Sequence, residues 1–238
     1  MSLTRFFKQR GNATQYGKQN TNYFSLQKEI NKLETLVRGL KGDELEDEIH
    51  QLEVAIKEVK KTHPVNPQIH LVHGMLLERT NKKAEALKEF HAASQSASLY
   101  RRGYMYEAEL LYQMGSFNEC KKVLLNMVKR FNSASSAQKN ALTFEHQAEM
   151  YAMLGKVCLK LGEKNASLAY VQKALAADPT SHLAKSVMQR YQKALQTEDA
   201  RLVKSGDQRF LSNRYSILPT NVSGPEEDFA HLARLKRR

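Results

Sequence analysis

The 238-residue chain has no tryptophan and only two cysteines, Cys120 and Cys158. An apolar share of 41 % without Trp suits stacked helices with modest side chains better than an aromatic-rich β fold. Two cysteines at apolar positions make no disulfide framework, so a reducing, cytoplasmic setting is expected. No apolar run is long enough to span a bilayer, and no secretory core segment is expected. The HExxH, GxSxG, phosphate-loop and paired CxxC patterns are missing too. His70 and His73 stand one helical turn apart, with His91 further on, but no accompanying carboxylate or thiol completes a ligand set. The expectation is a non-enzymatic chain with no catalytic residue, no cofactor and no metal.

What is present is charge and helical period. The formal net charge is +12. Residues 1–24 carry four cations and no acid, and 200–238 carry eight cations against four acids, so the two ends hold much of the excess. Residues 1–24 mix Arg5, Lys8, Arg10 and Lys18 with Phe6, Phe7, Tyr16, Tyr23 and Phe24 and are expected to form a basic, aromatic, disordered arm. Such a mixture can stack on single-stranded nucleic acid, which gives an alternative reading as an RNA- or ribosome-associated protein. The tail, 205–238, contains a short amphipathic segment after Pro225, with Glu226, Glu227 and Asp228 at its start and Arg234, Lys236, Arg237 and Arg238 at its end.

Between the ends, residues 25–63 carry heptad spacing. Leu26, Ile30, Leu33, Val37 and Leu40 step four and three, and Leu45, Ile49, Leu52, Ile56 and Val59 repeat the rhythm. A turn over residues 39–43, with Asp43 as N-cap, makes these a helical hairpin. Its seams are expected to face each other or the following helices, with homodimerisation through them as a sharper possibility.

From residue 64 to 204 a longer period takes over. In the stretch from Tyr151 to Pro179, the apolar stripe Tyr151, Leu154, Cys158, Leu161 is followed by a break at Gly162 and a second stripe of Leu168, Val171, Ala174 and Leu175. Gly155 and Ala174 are small enough for two helices to cross closely. Leu154, Gly155 and Pro179, with Tyr151, Cys158, Ser167 and Val171 at aromatic or small positions, resemble the tetratricopeptide repeat. Upstream, Gly74, Ala86, Phe90 and Ala93 take matching places, as do Tyr104, Ala108, Leu111, Gly115, Cys120, Leu124 and Met127. Asn81 stands at the first turn. Glu107 departs from the pattern by placing a carboxylate where Leu is usual, either reaching solvent or marking a rotated helix. Residues 135–147 are expected to extend the third repeat's first helix. Leu183, Val187, Tyr191 and Leu195 then form the stripe of a capping helix.

The resemblance implies an all-α, right-handed solenoid of three helix pairs plus a capping helix, preceded by the hairpin. It also implies a concave groove lined by the first helix of each pair. Carried over residue by residue, this groove comprises Gln68, Leu71, Met75 and Arg79, then Arg102, Met105, Glu109 and Tyr112, then Glu149, Ala152, Lys156 and Lys160. The carboxylate clamp of one subfamily is absent, because Leu71, Met75, Tyr106, Glu149 and Met153 stand in its places. The expected function is an adaptor or scaffold that binds a protein segment in this groove or serves as a subunit of a larger assembly. Met105→Glu with Tyr112→Glu is expected to remove binding at little cost in stability.

Overall fold

The computed structural model describes residues 23–40, 46–96, 101–133 and 144–204. The arm over 1–22, the turn with Asp43, most of the 135–147 extension and the 205–238 tail lie outside them. The described residues form nine helices and no strand. These are α1 (Tyr23–Gly39), α2 (Glu46–Thr62), α3 (Pro67–Arg79), α4 (Lys83–Ser96), α5 (Arg101–Gln113), α6 (Phe117–Ser133), α7 (Phe144–Lys160), α8 (Lys164–Ala177) and α9 (His182–Lys204). Two compact units divide within α9, after Gln189; of the second unit, Arg190–Lys204 continues that helix.

In the first unit, α3 with α4, α5 with α6 and α7 with α8 form three antiparallel pairs, each packing on the next. The repeat is visible at the level of single bonds. Asn81, Gly115 and Gly162 follow the first helix of each pair and all adopt positive φ, at 60°, 79° and 77°. One residue on, the amides of Lys82, Ser116 and Glu163 donate back to the carbonyls of Leu77, Leu111 and Cys158 at 2.8–2.9 Å. These bonds satisfy terminal carbonyls that a helix end otherwise leaves open, and the left-handed residue makes them possible. Glycine suits that position because it has no Cβ to clash, and Asn is the next best choice.

The helix crossings repeat in the same way. Gly74 lies against Phe90, so a Cβ there would meet the ring at 2.5 Å; at Gly155 it would meet Val171 Cγ2 at 2.6 Å. Ser167 Oγ donates to the Gly155 carbonyl at 2.8 Å, and Cys120 Sγ to the Ala108 carbonyl at 3.1 Å. Both cysteines are buried, and desolvation pushes their thiols up, Cys120 to about 12 and Cys158 to about 11. They act as small core residues rather than nucleophiles.

Of the two expectations for the seams of residues 25–63, packing on the following helices is the one observed. Helices α1 and α2 both pack on α3, and only slightly on each other. Leu26, Ile30, Leu33, Val37, Leu52, Ile56 and Val59 are buried in one cluster with Ile69, Leu71, Val72 and Leu76 of α3. Those seams are therefore used within the chain, leaving little of them for a dimer. With α1, α2, α4 and α5 around it, α3 is buried at every position from Ile69 to Leu77, including His70 and His73. A helix enclosed on all sides must be apolar or internally satisfied throughout. Asn66 caps its start, accepting from the amides of Gln68 and Ile69.

His70 and Glu107 in this core have local hydrogen-bond partners, whereas the two ring nitrogens of buried His73 have none. His70 Nδ1 contacts Glu89 Oε2 and its Nε2 the Pro64 carbonyl, each at 2.8 Å. Lys60 Nζ lies 2.5 Å from Glu89 Oε1. His73 Nδ1 lies 3.3 Å from the same oxygen but is not aligned for a hydrogen bond. Burial raises the Glu89 carboxyl, yet His70, His73 and Lys60 outweigh that and hold it far below the usual carboxylate range. Glu107 does not reach solvent. It is 4 % exposed and accepts from Ser94 Oγ at 2.8 Å, with His91 Nδ1 also at 2.8 Å. On α9, Ala184, Val187 and Met188 are buried, and Ala184 joins Ala152 and Ala174 in one cluster, as expected of a cap.

Candidate functional site

The residues expected to line the groove separate into two groups. The first group faces α1. Gln68 is hydrogen-bonded to Gln27, to Asn31 at 2.8 Å and to Glu34 at 3.1 Å. At the other end of α3, Arg79 donates to the carbonyls of Leu40 and Arg38 at 2.9 and 3.2 Å. Arg102 holds Glu34 with both terminal nitrogens, and Arg38 donates to the Tyr106 hydroxyl at 3.2 Å. Leu71 and Met75 are buried in the cluster that contains Ile30, Leu33 and Val37. Burial raises Glu34, but Arg102, Gln68 and Arg38 together pull it below its ordinary value. Helix α1 thus occupies the seat between α3 and α5.

The second group lies between α5 and α7. Glu109 and Lys160 are exposed, and Met105, Tyr112, Glu149 and Lys156 are half-buried; Ala152 is buried. Lys156 Nζ stands 4.1 Å from the centre of the Tyr112 ring, which meets Phe117 edge-on at 5.2 Å. Glu149 is paired with Arg101. Burial and the nearby Glu109 charge raise the Glu78 carboxyl at the end of α3. Among the described residues, no further helix packs on α5 and α7 as α1 packs on α3. Met105 and Tyr112 are also packing residues, Met105 touching two apolar clusters. Glutamates there would disturb the fold as well as the surface, contrary to the expectation of little cost. Lys156, Lys160 and Glu109 are the better probes.

Sequence reasoning missed α1 as the occupant of the first seat. The signal was there: Gln27, Asn31, Glu34 and Arg38 run beside the apolar seam at the same four-and-three steps. That is the mark of a helix with a polar network flanking a buried face. Among the described residues, no group of three or more His, Cys, Asp or Glu is placed to hold a metal, and no helix is long and apolar enough to cross a membrane.

Among the described residues these features define an all-α arrangement of stacked helix pairs. Residues 148–181, over α7 and α8, match the family model described as Tetratricopeptide repeat. Among solved structures it is similar to a tetratricopeptide repeat protein from Parabacteroides merdae, at 18 % identity and a TM-score of 0.53, covering 73 % of this chain and 61 % of that one. The chain therefore spans about three-fifths of that protein's length. It is also similar to pilF of Pseudomonas aeruginosa, at 14 % identity and a TM-score of 0.51, covering 76 % and 78 %. At these identities the likeness concerns the fold. A search of curated protein sequences gave no significant match.

Proposed function

We propose that this chain is a non-enzymatic adaptor, active in the cytoplasm, that holds a segment of another protein on the α5–α7 part of its concave face. The observation that carries the reading is the asymmetry of the groove. Its first seat is filled by the chain's own α1, whereas the second presents Glu109, Lys156 and Lys160 beside Met105 and Tyr112. Tyr is enriched at interface hot spots, and a flexible thioether adapts to varied partner shapes. The mixed charges suit a mixed-charge polypeptide better than a uniform polyanion.

The test is capture by the full-length chain, immobilised and compared with a Lys156→Glu, Lys160→Glu variant whose helicity and melting are unchanged. A specific partner retained by the parent and lost by the variant is expected. Equal recovery by both would place binding elsewhere. The reading through basic ends is separated by a salt titration with single-stranded RNA. A steep loss of affinity with salt that disappears when Arg5, Lys8, Arg10 and Lys18 are neutralised favours RNA association.

A further inference from the structure

One position of the repeat occurs in three versions, and the third leaves a surface uncovered. His70, Tyr104 and Tyr151 hold the same place ahead of the turn residues Asn81, Gly115 and Gly162, and Glu89, Val123 and Tyr170 hold the same place after them. In the first version the pair is ionic: His70 meets Glu89, and Lys60 of α2 meets the same carboxylate. In the second, Arg130 of α6 lies 5.8 Å from the centre of the Tyr104 ring and donates to Gln95 of α4 at 3.0 Å. Tyr104 is only 1 % exposed. In the third the pair is aromatic. Tyr151 and Tyr170 stack with ring centres 6.4 Å apart, both half-buried, and Lys173 Nζ lies 5.9 and 5.8 Å from those centres.

The sequence gives this face charge of one sign. Beyond Glu119 in its first turn α6 has no acid, and α8 has none at all. The same two helices carry Lys121, Lys122, Lys129, Arg130, Lys164 and Lys173. Glu163, just before α8, is held by Lys121, which ties the two helices together. Among the described residues Lys122, Lys129 and Lys173 are exposed and make no ion pair. Lys122, Leu125 and Lys129 follow at three- and four-residue steps, so they share one side of α6, and Leu125 is 37 % exposed there. Val128, on the neighbouring stripe, packs in the clusters that Tyr151 joins. An apolar strip of Leu125, Val128, Tyr151 and Tyr170 is therefore edged by cations that no carboxylate of the chain meets.

We propose that the α6–α8 face binds an acidic polypeptide segment of a partner protein. An aliphatic or aromatic side chain of that segment rests on Leu125, Val128 and the tyrosine pair, and its carboxylates meet Lys129 and Lys173. Charge complementarity selects the acid. The apolar strip selects a polypeptide over a nucleic acid, whose phosphates would leave Leu125 and Val128 without apolar cover. At 3.6 residues per turn, Lys156 and Lys160 fall on the side of α7 away from Tyr151. This surface thus goes beyond the α5–α7 seat and is occupied independently of it.

The test is fluorescence anisotropy with the full chain and three labelled probes. These are a peptide with a central Leu-Phe pair between runs of glutamate, an all-glutamate peptide of the same length, and an oligouridine. The Leu-Phe peptide is expected to bind most tightly, by about tenfold over the all-glutamate peptide. Lys129→Glu with Lys173→Glu should weaken it about tenfold or more. Lys129→Gln with Lys173→Gln, which remove the charges without reversing them, should act in the same direction. Leu125→Ser should erase its advantage over the all-glutamate peptide, and Lys156→Glu, Lys160→Glu should leave its binding unchanged. No binding of the Leu-Phe peptide, equal binding of the two peptides, or binding that survives the Lys129 and Lys173 changes would overturn the proposal. So would binding lost through Lys156 and Lys160 instead, or tighter binding of oligouridine through Lys129 and Lys173. Partner capture through Lys156 and Lys160 is read separately, so the adaptor reading can stand if this proposal fails.

Discussion

Glu34 on α1 accepts both terminal guanidinium nitrogens of Arg102 on α5, joining two residues 68 positions apart in the chain. That pair, with Gln68 and Arg38 around it, registers the first helix against α3 and α5. A double-mutant cycle with Glu34→Ala and Arg102→Ala should show a coupling of about 1 kcal/mol, limited because Arg102 is a third exposed to solvent. Additive losses in thermal unfolding would mean that apolar burial alone positions α1.

Glu107 occupies an interior site, yet its removal leaves no buried polar group stranded. Ser94 Oγ also has the His91 carbonyl at 2.8 Å, and the His91 side chain is 59 % exposed. Glu107→Met should therefore change stability by less than about 1 kcal/mol, or raise it, since an apolar residue of similar volume often replaces a buried charge without loss. A fall beyond about 2 kcal/mol on denaturant unfolding would show that the carboxylate is required for packing.

Gly155 is a spacing device. Even a methyl group would press on Val171 Cγ2 and on the Ser167 carbonyl, at 2.6 and 3.2 Å. Gly155→Ala should cost about 1–3 kcal/mol through overpacking, and Gly155→Leu more. An unchanged melting temperature for Gly155→Leu would show that α7 and α8 can separate without penalty.

Most of the repeat was legible because it rests on residues that report backbone geometry directly. Asn81, Gly115 and Gly162 mark the turns, while Gly74, Ala108 and Gly155 mark the crossings. The placement of α1 was less so. Heptad spacing in Leu26, Ile30, Leu33 and Val37 specifies an apolar stripe but not what covers it, and two stripes in succession suggest mutual packing. Only α3, whose positions 69–77 are buried all round, decides the matter by needing cover on both sides. Glu107 illustrates the same limit. A lone carboxylate on an apolar stripe points outward unless its neighbours are known, and here Ser94 and His91 come from the preceding helix.

Among the described carboxylates, acid should act most strongly through Glu89. Glu89 has its folded-state pKa lowered, so its contribution to stability is complete above its unfolded value near 4.5 and is lost as pH falls through the range down to the folded value. Melting temperature should therefore decline on acidification below roughly pH 5, and Glu89→Gln should make that decline shallower while lowering stability at neutral pH. Lys60, His70 and His73 surround the carboxylate and Glu53 lies within the field of His73, so the comparison with Glu89→Gln isolates the one group. Identical slopes for the two proteins would show that the acid response arises elsewhere.

Hydrogen exchange followed by mass spectrometry, on the full chain with and without its captured partner, tests the central claim most directly. Binding should slow exchange in residues 102–113 and 149–160, while residues 25–40, already seated against α3, should change little. Protection confined to residues 25–62, or to neither concave helix, would contradict the assignment of the α5–α7 face as the binding surface.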